Sequence, residues 1–138
     1  MTTPPSMSLA VVGAAFPNAD GSNRQFETLL CQAGEPVTLV PEPRNKNDPH
    51  AIAVFSIRDV QIGYISAERA PRLGALISSF DAQAVFQRKA DFGAWIRVSF
   101  DGAAPQLTGA MLVEPDDPDV PLFDPEPDFY PDEIWPDD

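Results

Sequence analysis

The last 28 residues of this chain cannot contribute to a core. Residues 111–138 hold 11 of the 21 acidic groups, no Lys or Arg, and 7 of the 16 prolines. Prolines break strand ladders and like charges at this density repel, so a disordered or polyproline-like acidic tail is expected. Residues 1–110 are different, with 10 acidic and 9 basic groups that nearly cancel. About 110 residues suit one small domain and leave no room for two. The expected division is a flexible N-terminus (1–7), one domain (8–110) and the tail (111–138).

Composition removes several function classes. The chain lacks the basic excess of a protein that holds nucleic acid chiefly by phosphate neutralisation. The formal net charge of −12 belongs almost wholly to the tail, however, so it does not decide the class of the domain. A single cysteine, Cys31, excludes an intramolecular disulfide and a cysteine zinc cluster. Residues 1–7 show no basic n-region, and the apolar stretch 9–16 is too short to span a bilayer. A soluble, cytoplasmic protein without membrane association is expected.

Pattern along the chain suggests mostly strands. Residues 8–16 are short, apolar and closed by the turn cluster 17–23, which reads as a first strand. Residues 24–32 follow as a short helix with Phe26, Leu29 and Leu30 at helical spacing as the packing face, capped by Ser22 or Asn23. Residues 35–40 read as a second strand, ended by Pro41-Glu42-Pro43. Residues 51–57 are apolar on both pleat faces, which suits a central buried strand, and Arg58-Asp59 turns the chain into 60–65. A second helix is expected from Ser66, with Glu68 in its first turn and Leu73, Leu76 and Ile77 as its apolar stripe. Residues 82–90 and 94–100 form two more strands around Asp91-Phe92-Gly93. The fold class is therefore mainly β (α+β), about six strands and two short helices in a small barrel or strongly curved sheet.

Little in the sequence points to catalysis. The lone His50 has Asp48 and Glu42 nearby, but no third metal ligand is evident and the spacing matches no zinc or iron pattern. Cys31, on the apolar face of a short helix, reads as a small core residue without a base to activate it. The glycines are isolated and form no phosphate-binding loop. No catalytic residue, metal or cofactor is expected. The loop after Pro41 stands out instead. Pro43 and Pro49 brace it, and Asn45, Asn47 and Asp48 have short side chains that bond locally to backbone amides. Such a loop serves as a well-made turn or presents amides and a carboxylate in a fixed array.

Several segments together resemble the HIRAN domain family. They are Val11-Val-Gly13 with Phe16, Gly34-Glu-Pro-Val-Thr-Leu39, the long 41–54 segment Pro-Glu-Pro-Arg-Asn-Lys-Asn-Asp-Pro-His-Ala-Ile-Ala-Val, Ile62-Gly-Tyr-Ile65 and Phe92-Gly-Ala94. The resemblance implies a curved, OB-like barrel and a non-catalytic grip on the 3′ end of single-stranded DNA. It places Asp48 as acceptor for the terminal 3′-hydroxyl with Asn45 beside it, and Phe16, Tyr64 and Phe92 around the bases. Base–aromatic stacking is sequence-tolerant and contributes about 1–3 kcal/mol per base. An Asp also disfavours a continuing phosphodiester, whose negative charge would face it.

This chain departs from the family's pattern. Asn45-Lys46-Asn47-Asp48 stands where the loop usually reads Asn-Pro-Tyr-Asp, so a rigid proline and a stacking tyrosine are missing. Ala15 stands where members can carry a phosphate-binding arginine, and Phe16 replaces a tyrosine. Arg44 and Lys46 are candidates for compensating charge, and weakened end binding is expected. A second reading is a protein-interaction adaptor docking a larger repair, replication or defence enzyme through the domain or its tail. The tail interleaves carboxylates with Phe123, Phe129, Tyr130 and Trp135. It reads either as a solvating segment or as an imitation of phosphates and bases that occupies a groove.

Overall fold

The structure, a computed structural model, describes residues 2–113. The expectations for the acidic tail fall, from residue 114 onward, outside the described residues. Six antiparallel strands close into a barrel in the order β1-β4-β3-β2-β5-β6. They are β1 (Met7–Val12), β2 (Pro36–Pro41), β3 (Ile52–Phe55), β4 (Gln61–Ile65), β5 (Gln83–Ala90) and β6 (Gly93–Ser99). Helix α1 (Arg24–Leu30) joins β1 to β2, and α2 (Ala70–Ser79) joins β4 to β5. This is the mainly β, six-stranded, two-helix architecture that the alternation implied.

Period-two patterning sends Leu9 and Val11, Ile52 and Val54, and Ile96 and Val98 into one interior. Leu73 and Ala70 of α2 close it, with Leu76 and Ile77 packed against it. The ring has two halves. Strands β2, β3 and β4 form one meander, and β5, β6 and β1 form the other group. They join at Val11↔Ile65 with Val12↔Tyr64, and again at Pro36↔Val85 with Val37↔Ala84. Past the second joint the strands separate, and a cavity of about 670 Å³ lies between β2, the end of α2 and the start of β5.

Three local expectations need correction. Strand β1 ends at Val12 rather than at residue 16, because the chain turns at Gly13, whose carbonyl accepts from the Phe16 N–H at 3.1 Å. Helix α2 starts at Ala70 rather than Ser66, with Pro71 in its first turn, where a missing N–H costs nothing. Glu68 therefore lies in the turn before the helix.

The largest difference is the orientation of α1. Asn23 caps it, its Oδ1 accepting from the Phe26 N–H at 2.8 Å. Yet Phe26 and Leu29 are 60% and 63% exposed, and the buried residues are Arg24, Glu27 and Thr28. The polar face is satisfied from distant segments and from within the helix. Glu27 Oε2 accepts from Ser56 Oγ and from Arg58 Nε, both at 2.6 Å, and Thr28 Oγ1 donates to Arg24 O at 2.8 Å. Such paired groups bury at little net cost, which lets the apolar face stay outside. Cys31 is half-buried against the core, and burial is the main cause that pushes its thiol up to about 11. It is a poor nucleophile at neutral pH.

This arrangement sets up a contrast in stability. Leu73→Ala should cost about 2–5 kcal/mol through a cavity in the core. Leu29→Ala, despite its place in the helical pattern, should change stability by no more than about 0.5 kcal/mol. Urea unfolding of both variants checks this, and similar losses would mean that α1 packs with its apolar face inward.

Candidate nucleic-acid interface

Two glycines bring the site together. A Cβ on Gly63 would stand 2.3 Å from Val12 O, and one on Gly93 would stand 2.3 Å from Val11 O. Neither position tolerates a side chain, so β4 and the β5–β6 turn press against the end of β1. Their neighbours Tyr64 and Phe92 are thereby delivered beside the end of β1, next to the 13–16 turn that carries Phe16.

A cavity of about 300 Å³ opens there, at the small end of ligand-site sizes. Phe16, Tyr64, Arg24, Asn45 and Asn47 line it, with Gly13 and Pro17 at its wall. The Arg24 guanidinium lies over the Tyr64 ring, 5.6 Å from its centroid. Its Nε donates to Asn18 Oδ1 at 2.7 Å and its Nη1 to Gly13 O at 2.8 Å. Asn18 in turn donates through Nδ2 to Gln61 O at 2.9 Å, tying the turn to β4. Burial pulls the guanidinium below the ordinary arginine value, while Tyr64 and Glu42 oppose that shift. It keeps its charge.

Glu42 organises the other wall. Its Oε1 accepts from Tyr64 Oη at 2.9 Å and from Asn45 Nδ2 at 3.0 Å. Burial, and then the bond to Glu42, raise the Tyr64 phenol above its ordinary value, so it stays a neutral donor at pH 7. The loop after Glu42 is stiffened by its own short polar side chains. Asn45 Oδ1 accepts from the N–H groups of Asn47 and Asp48 at 2.8 and 3.1 Å. Asp48 Oδ1 accepts from the His50 N–H at 2.8 Å. Consecutive Asx bonds hold the loop backbone in place.

The structure thus brings Phe16, Asn45, Asn47 and Tyr64 to one cavity. Asp48 is half-buried in the same loop but does not line that cavity. Arg44 and Lys46 are exposed on the loop. Phe92 is half-buried, edge-on to Trp95 with ring centroids 5.5 Å apart. Arg24, Asn18 and Glu42 escape a reading of the sequence as site residues. One signal exists for Arg24: a cation in the first turn opposes the helix dipole and so suggests another use. Nothing comparable marks Glu42, which sits between two prolines.

Chemically, the cavity offers aromatic faces, one buried positive charge and amide groups. These suit a base or sugar with a phosphate nearby. Among the described residues no group of three His, Cys, Asp or Glu could hold a metal ion. No described helix is long and apolar enough to cross a membrane.

Comparison with known proteins bears on the family and the fold. The HIRAN domain model matches residues 9–101. The fold is similar to the HIRAN domain of human HLTF, with a TM-score of 0.55 and 21% identity over 70% of this chain and 74% of that one. It is also similar to a protein from Lactobacillus plantarum, with a TM-score of 0.50 and 17% identity over 70% and 94% of the two chains. No curated protein matches the chain. With the family model matching nearly the whole barrel and both glycine contacts inside it, the chain belongs to the HIRAN domain family, known for nucleic-acid binding.

Proposed function

We propose that this domain holds the 3′ end of single-stranded DNA and catalyses no reaction. The observation that carries this is the cavity in which Phe16, Tyr64 and Arg24 meet the 45–47 rim. In this reading Phe16 and Tyr64 take the terminal nucleotide and Phe92 supports the next base. Arg24 gives the pocket its positive field, and Asn45 and Asn47 shape the rim. Asp48 accepts from the 3′-hydroxyl, while Arg44 and Lys46 draw the backbone in from outside. A half-buried carboxylate next to a cavity penalises a 3′-phosphate, because two negative charges would face each other at low dielectric.

The test is a paired titration of one short strand carrying either a free 3′-hydroxyl or a 3′-phosphate. The hydroxyl strand should bind about tenfold more tightly, the size of one charge-assisted hydrogen bond. Asp48→Ala should remove that preference, and Phe92→Ala should weaken both strands by about 1–3 kcal/mol. Equal binding of the two strands by the parent protein would reject end recognition.

A second reading has its own observation. Phe26, Leu29 and Leu30 present an apolar helix face to solvent, and a contiguous exposed apolar surface commonly marks a protein contact. In that reading the domain is an adaptor within a repair, replication or defence complex. Binding of neither strand at low salt would favour it.

A further inference from the structure

We infer that Trp95 and Arg88 form a second nucleic-acid subsite, outside the cavity, for nucleotides upstream of the bound end. The inference rests on the proposed DNA reading and extends it from an end to a length of strand.

The β5–β6 hairpin builds this subsite. Ala94 and Ile96 point into the core, so Trp95 between them stands on the outer face of the barrel. The register shifts between Phe86 and Arg88, so that Phe86 faces Ile96 while Arg88 faces Trp95. The extra residue, Gln87, turns aside to accept from Ser8 Oγ at 2.7 Å and to donate to Met111 O at 3.1 Å. A bulge of this kind re-aims the residue that follows it. Here it sets the Arg88 guanidinium over the Trp95 ring, 5.9 Å from its centroid. Lys89, paired with Ala94, leaves the strand on the opposite face, and Asp91 in the turn is the nearest acid along the hairpin.

Register places this group relative to the cavity. Trp95 pairs with Ala10 and Tyr64 with Val12. Ala10 and Val12 lie on the outer side of β1, opposite the core residues Leu9 and Val11. Trp95 and Tyr64 therefore share the outer face, two strands across and two residues along, about 12 Å apart. Phe92 lies edge-on to Trp95 at an interplanar angle of 81°. Twelve ångströms is about three to four nucleotides of a stacked strand at roughly 3.4 Å each. Indole stacking is indifferent to base identity, and Arg88 supplies a cation for the phosphates between. The subsite thus offers single-stranded nucleic acid a second stacking platform with its own charge.

Length dependence tests it in the full chain. Oligothymidylates of three and ten nucleotides, each with a free 3′-hydroxyl, are titrated at two salt concentrations. Trp95→Ala should weaken the ten-mer about tenfold and the three-mer less than twofold. Arg88→Gln should lower the salt slope for the ten-mer by about 0.7 and leave the three-mer slope unchanged. Trp95→Phe, which keeps a ring, should restore most of the lost affinity and controls for damage to the fold. Equal losses at both lengths would mean that Trp95 merely supports the cavity, and no loss at either would remove the subsite. A parent protein that binds the ten-mer through Trp95 but ignores the 3′-hydroxyl would keep this inference and reject end recognition. Binding of neither strand would reject both.

Discussion

Gly63→Ala is expected to cost the domain about 3 kcal/mol or more, which places it among the most damaging overpacking changes. The residue adopts φ +155°, and the new methyl would lie 2.3 Å from Val12 O and 2.9 Å from Val11 Cγ1. The carbonyl cannot simply swing away, because Val11 and Val12 form the whole register between β1 and β4. Relief requires that joint to open. For a domain of this size the melting temperature should fall by about 10–20 °C. Gly109→Ala, where no atom lies within 4 Å of the added carbon, serves as the control and should melt close to the parent. A Gly63→Ala protein that melted with the parent would show that β1 and β4 do not approach as described.

Arg24→Met is the second large effect, and it should strike stability and binding together. Methionine keeps part of the aliphatic stem and removes every donor. Asn18 Oδ1 and Gly13 O then lose their guanidinium partner in a buried setting, which costs about 1–3 kcal/mol. The cavity also loses its buried positive charge and the cation above Tyr64, so single-strand affinity should fall at least tenfold, or about 1.4 kcal/mol. Arg24→Lys should not rescue it, since one ammonium cannot span both acceptors in the geometry of a planar fork. Chemical unfolding measures the first effect and strand titration the second. A variant that lost stability but bound DNA normally would make Arg24 a purely structural group.

The barrel was largely legible in the sequence because its signals are local. Alternation in 94–100, the doubly apolar run 51–57 and the turn at Arg58-Asp59 each announce themselves within a few residues. Helix α1 was not, although its pattern is just as clear. Its spacing assigns Phe26, Leu29 and Leu30 to the interior, and that assignment fails because the buried face is chosen by partners outside the helix. Ser56 and Arg58 claim Glu27, and Gly13 and Asn18 claim Arg24. A periodicity argument sees only one helix at a time. The cavity divides in the same way. Phe16, Tyr64, Asn45 and Asn47 belong to quotable motifs, whereas Arg24 and Glu42 matter only through what the fold sets against them.

The two-part construction of the ring has a consequence for how ligand and fold affect each other. Tyr64, Glu42 and Asn45 come from the meander half, while Phe16 follows β1 and Phe92 and Trp95 sit on the β5–β6 side. The cavity therefore straddles a joint whose strand register is two residue pairs long, Val11↔Ile65 and Val12↔Tyr64. A strand lying across it would act as a rivet between half-barrels, adding its binding free energy to the resistance against their parting. Recognition and mechanical closure would then be one event, and the empty domain would be the looser of its two states.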